Sequence, residues 1–244
     1  MKNGKGLIIE YFDNGKIQSE YQCLNGEGNG KGTEYYYDGK LIFEGEYMNG
    51  KKNGKGKEYN GDKLIFEGEY LNGERNGKGK EYDENGKLNF EGEYLNGKKN
   101  GKGKEYHDIN DLIFEGEYLY DFRIKGKFYN KGKLEFEGDY RYSKKWNGKG
   151  YDENGKVIYE LINGNGKVKE FYQKGKKIFE GEYLNGKKNG KGKEYYNDIL
   201  VFEGEYLNGK RNGKGKEYYC NGELKFEGEY FNGEKKENNY DINN

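Results

Sequence analysis

FEGEYLNGERNGKGKEY, residues 66–82, decides how this chain folds. FEGEY also begins at Phe43, Phe90, Phe114, Phe179, Phe202 and Phe226, and a variant, FEGDY, begins at Phe136. Degraded copies start at Ser19 (SEYQCLNG) and Tyr159 (YELING), so successive copies are 20 to 24 residues apart. A fixed period in this range marks a repeat architecture in which each unit packs mainly on its neighbours.

Within one unit, Leu64, Phe66, Gly68 and Tyr70 alternate with Ile65, Glu67 and Glu69. Period two predicts a strand. The segment 71–76 follows, with Asn72-Gly73 at its start and Asn76-Gly77 across its end, and Asn-Gly is a hairpin signal. Gly77 to Tyr82 alternates again, and Asp83-Glu84-Asn85-Gly86 turns the chain into the next unit. Each repeat is therefore read as two strands and two turns. In the hairpin, Phe66, Gly68 and Tyr70 share a face with Gly77 and Gly79, so the rings lie over positions without side chains. On the other face Glu67 and Glu69 meet Lys78 and Lys80, a solvated ladder of opposite charges. Helix competes poorly, because glycine returns at fixed places and costs about 1 kcal/mol each in a helix interior.

Composition supports a thin sheet rather than a thick core. Only 44 of 244 residues are Leu, Ile, Val or Phe. That lies below the rough 20 % line associated with disorder, but disorder also calls for high net charge. Here 44 Lys and Arg balance 44 Asp and Glu, and 27 Tyr add burial that the aliphatic residues do not supply. The zero balance argues against nucleic acid as a partner, since phosphate-binding surfaces carry a basic excess. Cys23 and Cys220 lie far apart in the sequence, so no disulfide framework is implied and a reducing compartment is the default. The only apolar run near the start, Leu7-Ile8-Ile9, is too short for a signal peptide or a membrane span. These features predict a cytoplasmic chain.

The array is expected over 1–236, regular over 19–118 and 179–233, with a polar C-terminal tail over 234–244 that frays. The units over 119–178 are irregular. Tyr120-Asp121 replaces an Asn-Gly turn, Ile124 stands at a glycine position, and Trp146, the one tryptophan, follows an altered turn. Tyr120, Phe122, Ile124, Phe128 and Trp146 thus form a candidate partner-binding set, weighed against simple repeat decay.

The pattern aromatic-x-Gly-x-aromatic, Asn-Gly turn, Gly-x-Gly, aromatic resembles MORN (membrane occupation and recognition nexus) repeats. It is carried here by Phe66, Gly68, Tyr70, Asn72-Gly73, Gly77, Gly79 and Tyr82. Tyr stands where that family often has Trp, and Asn76 and Asn100 where it often has His. The resemblance implies an all-β fold, an elongated, twisted single-layer antiparallel sheet of consecutive β-hairpins. It also implies scaffolding of protein assemblies, or tethering near membrane or cytoskeleton, with phospholipid binding suggested for some members.

No catalytic constellation can be assembled, and no cofactor or metal is expected. His107 has no Ser or Cys partner in its unit, the cysteines occupy different repeat positions, and the Gly-Lys-Gly-Lys segments lack the spacing and Ser/Thr of a P-loop. Two functions remain. The first is a scaffold that offers an aromatic face and grooves to a protein partner. The second is a membrane adaptor whose turn lysines, Lys51-Lys52, Lys98-Lys99 and Lys187-Lys188, meet anionic phosphoinositide headgroups. Exposed terminal strands would also allow pairing into a homodimer.

Overall fold

A computed structural model describes residues 4–107, 111–172 and 176–236, and residues 237–244 of the expected tail lie outside the described part. The chain divides into two compact units, Met1–Phe122 and Arg123–Asn244. No helix occurs among the described residues, and the fold is all-β, built from consecutive antiparallel hairpins in open sheets.

The first unit holds β1 (Lys5–Tyr11), β2 (Ile17–Leu24), β3 (Glu27–Tyr35), β4 (Leu41–Met48), β5 (Lys51–Asn60), β6 (Lys63–Leu71), β7 (Glu74–Tyr82), β8 (Leu88–Leu95), β9 (Lys98–His107) and β10 (Asp111–Leu119), each bonded to the next. The β6–β7 connection is the two-residue turn Asn72-Gly73, with φ of 53° and 96° and Leu71 opposite Glu74. Positive φ at both positions is what a type I′ hairpin demands. Successive turns are tied along one edge, Gly73 N–H donating to the Lys52 carbonyl at 2.8 Å and Gly97 N–H to that of Arg75 at 2.9 Å.

The second Asn-Gly is not a turn. Asn76-Gly77 lies inside β7, where Gly68 pairs with Gly79 but Tyr70 pairs with Arg75. Residues 76–78 face Glu69 alone, and these two extra residues form a β-bulge with Gly77 at φ 100°. Glu69 has no Cα partner on β7 there, and its carboxylate instead accepts the Lys78 N–H at 3.2 Å. The bulge moves Gly77 opposite Tyr94 of the following strand, where the sequence reading had it within its own hairpin. A bulge that bends and twists one strand of the hairpin explains why the regular units carry this second Asn-Gly, as at Asn53-Gly54, Asn100-Gly101 and Asn212-Gly213.

The core is one line of rings. Phe43, Phe66, Phe90 and Phe114 are fully buried, and Tyr47, Tyr70, Tyr94 and Tyr118 nearly so. Phe66 meets Tyr70 of its own strand and Tyr94 of the next hairpin edge-on, at 5.8 and 5.3 Å. Such pairs add about 0.5–1.5 kcal/mol beyond burial. Gly79 makes room for them, since a Cβ there would stand 2.5 Å from Phe66 Cζ and 3.2 Å from Tyr94 Cε2.

The second unit contains β11 (Phe122–Asn130) from Arg123 onward, β12 (Lys133–Arg141), β13 (Lys144–Tyr151) and β14 (Val157–Leu161). It continues with β15 (Gly166–Tyr172), β16 (Lys176–Leu184), β17 (Lys187–Tyr196), β18 (Ile199–Leu207), β19 (Lys210–Tyr218), β20 (Leu224–Phe231) and β21 (Glu234–Lys235). Its ladder runs from β11 to β14, stops, and resumes from β15 to β21. Tyr151 directly follows Gly150, where regular units insert Lys-Glu before the tyrosine, and β14 is only five residues long. Leu161 and Val168, 1 % and 2 % exposed, fill the join.

Candidate functional site

The aromatic face is sealed. Phe66 lies between Glu58 of β5 and Glu81 of β7. Arg75, opposite Tyr70, sets its guanidinium 4.0 Å from the Phe66 ring centre, donating to Glu81 at 3.1 Å and also to Glu58. The Tyr70 hydroxyl donates to Glu58 at 2.7 Å. Burial alone would raise the Glu58 carboxyl, but the hydrogen bonds from Arg75 and Tyr70 outweigh it and hold the group below its ordinary value. Burial first, then the bond to Glu58, pushes Tyr70 well above the usual phenol range. Lys52 over Phe43 and Lys99 over Phe90, both at 4.1 Å, repeat the arrangement. In the second unit Lys188 covers Phe179 at 4.1 Å and Arg211 covers Phe202 at 3.9 Å. With a cation over each of them, Phe43, Phe66, Phe90, Phe179 and Phe202 are at most 1 % exposed and offer no open ring surface. This corrects the expectation that this face is offered to a partner.

The opposite face of the first unit is open. Glu67 and Glu69 flank Gly68 on β6, and Lys78 and Lys80 flank Gly79 on β7. The backs of the paired glycines form the floor of a trough of about 1270 Å³ that runs across the strands from β2 to β10. One wall carries Glu44, Lys57, Glu67, Lys80, Glu91 and Lys104, and the other carries Glu46, Lys55, Glu69, Lys78, Glu93 and Lys102. On the first wall Glu67 accepts from the Tyr82 hydroxyl at 2.6 Å, and Glu44 pairs with Lys57 at 3.4 Å. Burial and the bond to Glu67 push Tyr82 up to about 12.

The family model described as MORN repeat matches residues 43–63, 90–108, 179–198 and 202–223. The model described as MORN repeat variant matches residues 5–22, 29–49, 75–96 and 164–185. Together they cover more than half of the chain. The chain is a MORN-repeat protein. No curated protein matches it.

In this MORN array the paired lysines divide their work. Lys51, Lys98 and Lys187 are exposed. Lys52 and Lys99 are held on the aromatic face by Glu34 and Glu81, each at 2.9 Å, and Lys188 by Glu194 at 3.7 Å. They begin strands rather than occupy turns, because each two-residue turn closes just before them.

Of the candidate aromatic set, Tyr120 and Phe122 belong to the first unit, 52 % and 46 % exposed, and Ile124, Phe128 and Trp146 belong to the second. Ile124 is half-buried in β11. Phe128 occupies the place that Glu81 has in a regular unit, and Lys145 stands 5.3 Å from its ring. Glu135 of β12 supplies the missing carboxylate, 2.9 Å from Lys145. Trp146 lies beneath Arg141 at 4.9 Å, and its ring edge comes within 2.8 Å of where a Cβ on Gly164 would be. It therefore covers the backbone of the Asn163-Gly164 turn.

The glutamate preceding each tyrosine, as in Glu58 and Glu81, went unread as a structural residue. Its signal was available, because Gly77, Gly79 and Glu81 share one parity and Glu81 therefore faces the rings.

Among the described residues no group of His, Cys, Asp and Glu could hold a metal ion. Cys23 is buried and Cys220 exposed.

Proposed function

We propose that this MORN-repeat chain is a non-catalytic scaffold that binds a segment of a protein partner along the glycine-floored trough of its first unit. The trough itself carries this reading. Its walls stand two residues apart on each strand, about 7 Å, which admits one extended chain. A helix, about 10 Å across with its side chains, is too wide to enter. Its floor is backbone and its walls are charged side chains with long methylene stems, so a bound chain finds apolar contact below and polar contact above. The site of action that goes with this reading is the cytosol.

Selection from a displayed random-peptide library tests it. Recovered peptides should bind the protein, and Lys80→Trp, which places a large ring on an exposed wall position, should weaken them at least severalfold with an unchanged melt. Peptides indifferent to Lys80→Trp would place binding elsewhere.

A second reading rests on Lys51, Lys98 and Lys187, each exposed and opposite an exposed apolar residue, Met48, Leu95 or Leu184. Paired this way, a basic head and an apolar neighbour suit an anionic membrane surface, at about 1 kcal/mol per cation. Co-sedimentation with phosphoinositide-containing vesicles, lost in the combined Lys51→Gln, Lys98→Gln and Lys187→Gln variant, would favour it. No sedimentation of the wild type would remove it.

A further inference from the structure

The two walls of the trough are not equivalent. On the wall of Glu46, Glu69 and Glu93, each carboxylate folds down to accept a backbone N–H, that of Lys55 at 3.0 Å, Lys78 at 3.2 Å and Lys102 at 3.0 Å. The side chains of Lys31, Lys55, Lys78 and Lys102 are exposed and have no ion-pair partner among the described residues. On the aromatic face, by contrast, Lys52, Lys99 and Lys145 are held by Glu34, Glu81 and Glu135. The far wall spends its carboxylates on tyrosine hydroxyls, Glu44 on Tyr59 and Glu91 on Tyr106, each at 2.7 Å. One row of unengaged ammonium groups therefore lines one side of the trough.

Those four lysines sit on alternate strands, β3, β5, β7 and β9. Two strand spacings of about 4.8 Å place them about 9.6 Å apart along the trough. A polyproline-II chain rises about 3.1 Å per residue with three residues per turn, so its equivalent side chains recur every 9.3 Å or so on one side. A β-strand does not match, because residues three apart on it point to opposite sides.

We propose that the trough takes an acidic polyproline-II segment of a protein partner, with one carboxylate in every three residues, seated in turn on Lys31, Lys55, Lys78 and Lys102. This rests on the trough being the partner site and adds the conformation and charge pattern of the occupant. A chain already stiff in this conformation loses little entropy on binding, and charge-assisted bonds from ammonium to carboxylate fix its register.

Fluorescence anisotropy with a labelled Pro-Pro-Glu repeat peptide tests it, against Pro-Pro-Lys and Pro-Pro-Pro-Glu repeats of equal length. The Pro-Pro-Glu peptide should bind about tenfold or more tighter than either control, the period-four peptide failing because its carboxylates drift out of step. The combined Lys55→Gln, Lys78→Gln and Lys102→Gln variant should erase that preference without moving the melt. Equal binding of all three peptides, blocked by Lys80→Trp, would overturn the charge register and leave the trough as the partner site. Preference for Pro-Pro-Glu that survives the triple substitution would overturn the assignment to these lysines. No binding of Pro-Pro-Glu would overturn the proposal, and an empty library selection beside it would overturn the trough as well.

Discussion

Glycine 79 and tyrosine 82 show how much a single residue decides in a sheet one layer thick. Gly79→Val puts branched carbon where Phe66 and Tyr94 already meet, and no second layer exists into which the rings could move. The expected cost is about 1–3 kcal/mol, the range for overpacking, read as a lower midpoint in urea denaturation. The tyrosines of the polar face titrate late. Burial, then the bonds to Glu44, Glu67 and Glu91, pushes Tyr59, Tyr82 and Tyr106 up to about 12. A phenol raised in the folded state contributes stability that is whole below about pH 10 and is lost as pH rises through its folded value. Spectrophotometric titration should show a group of phenols ionising near pH 12, and stability should fall between pH 10 and 12. Glu58 works with the opposite sign, its depressed carboxyl stabilising the fold above its unfolded value and ceasing to as acid is added. Phe66, Gly68 and Tyr70 were legible as one face from parity alone. The partners of Tyr70 were not, because Glu58 sits on the preceding hairpin and only the strand pairing brings it in.

Strands and turns were legible to the same degree and for the same reason. Alternation in 64–70 and in 77–82 gives the strands, and Asn72-Gly73 gives the turn. Alternation cannot reveal this bulge, because two inserted residues leave the parity of both strands unchanged, so Asn76-Gly77 read as a turn. The irregular turns keep the regular geometry with unsuited residues. Tyr120 and Asp121 have φ of 49° and 71°, and Tyr142 and Ser143 have 51° and 59°. Left-handed backbone costs roughly 1–2 kcal/mol at a non-glycine residue. Asp121 recovers part of this by accepting the Lys99 N–H at 2.8 Å, and Ser143 by accepting that of Arg123 at 3.1 Å. Tyr120 has the distant Lys98, 5.8 Å from its ring. Tyr120→Asn should therefore stabilise the protein by up to about 1 kcal/mol, since asparagine tolerates this backbone. A higher melting temperature is the expected reading. Trp146→Ser should act the other way, because that ring covers the Gly164 turn, and a lowered melt is expected even where partner capture is also lost. Phe122→Ser, at a half-exposed strand start, should leave the melt nearly unchanged.

Across the molecule the balance of charge and the shortage of aliphatic residues have one origin. Each regular hairpin carries one phenylalanine and one buried tyrosine for its core, one cation and its glutamates to cover them, and a Glu–Lys ladder on the open face. The net charge of zero is a sum over units whose small excesses cancel, six acidic against four basic residues over 66–89 and two against five over 159–178. Because each unit packs mainly on the next, stability should grow nearly in proportion to the number of units. Inserting a second copy of residues 66–89 between Asn89 and Phe90 supplies a unit whose two interfaces already exist on β6, β7 and β8. Gly79 already pairs with Gly92 across the β7–β8 boundary, so the duplicate repeats that pairing and needs no new one. The enlarged protein should unfold at higher urea with a larger m-value, since more surface is exposed in the same transition. An unchanged midpoint with a second, separate transition would mean that the inserted unit folds without coupling to its neighbours. The inserted unit also adds one lysine equivalent to Lys78, in step with Lys55 and Lys102. The lengthened trough should accordingly favour a Pro-Pro-Glu peptide one triplet longer than the natural one does, which ties the repeat count of the fold to the length of chain it binds.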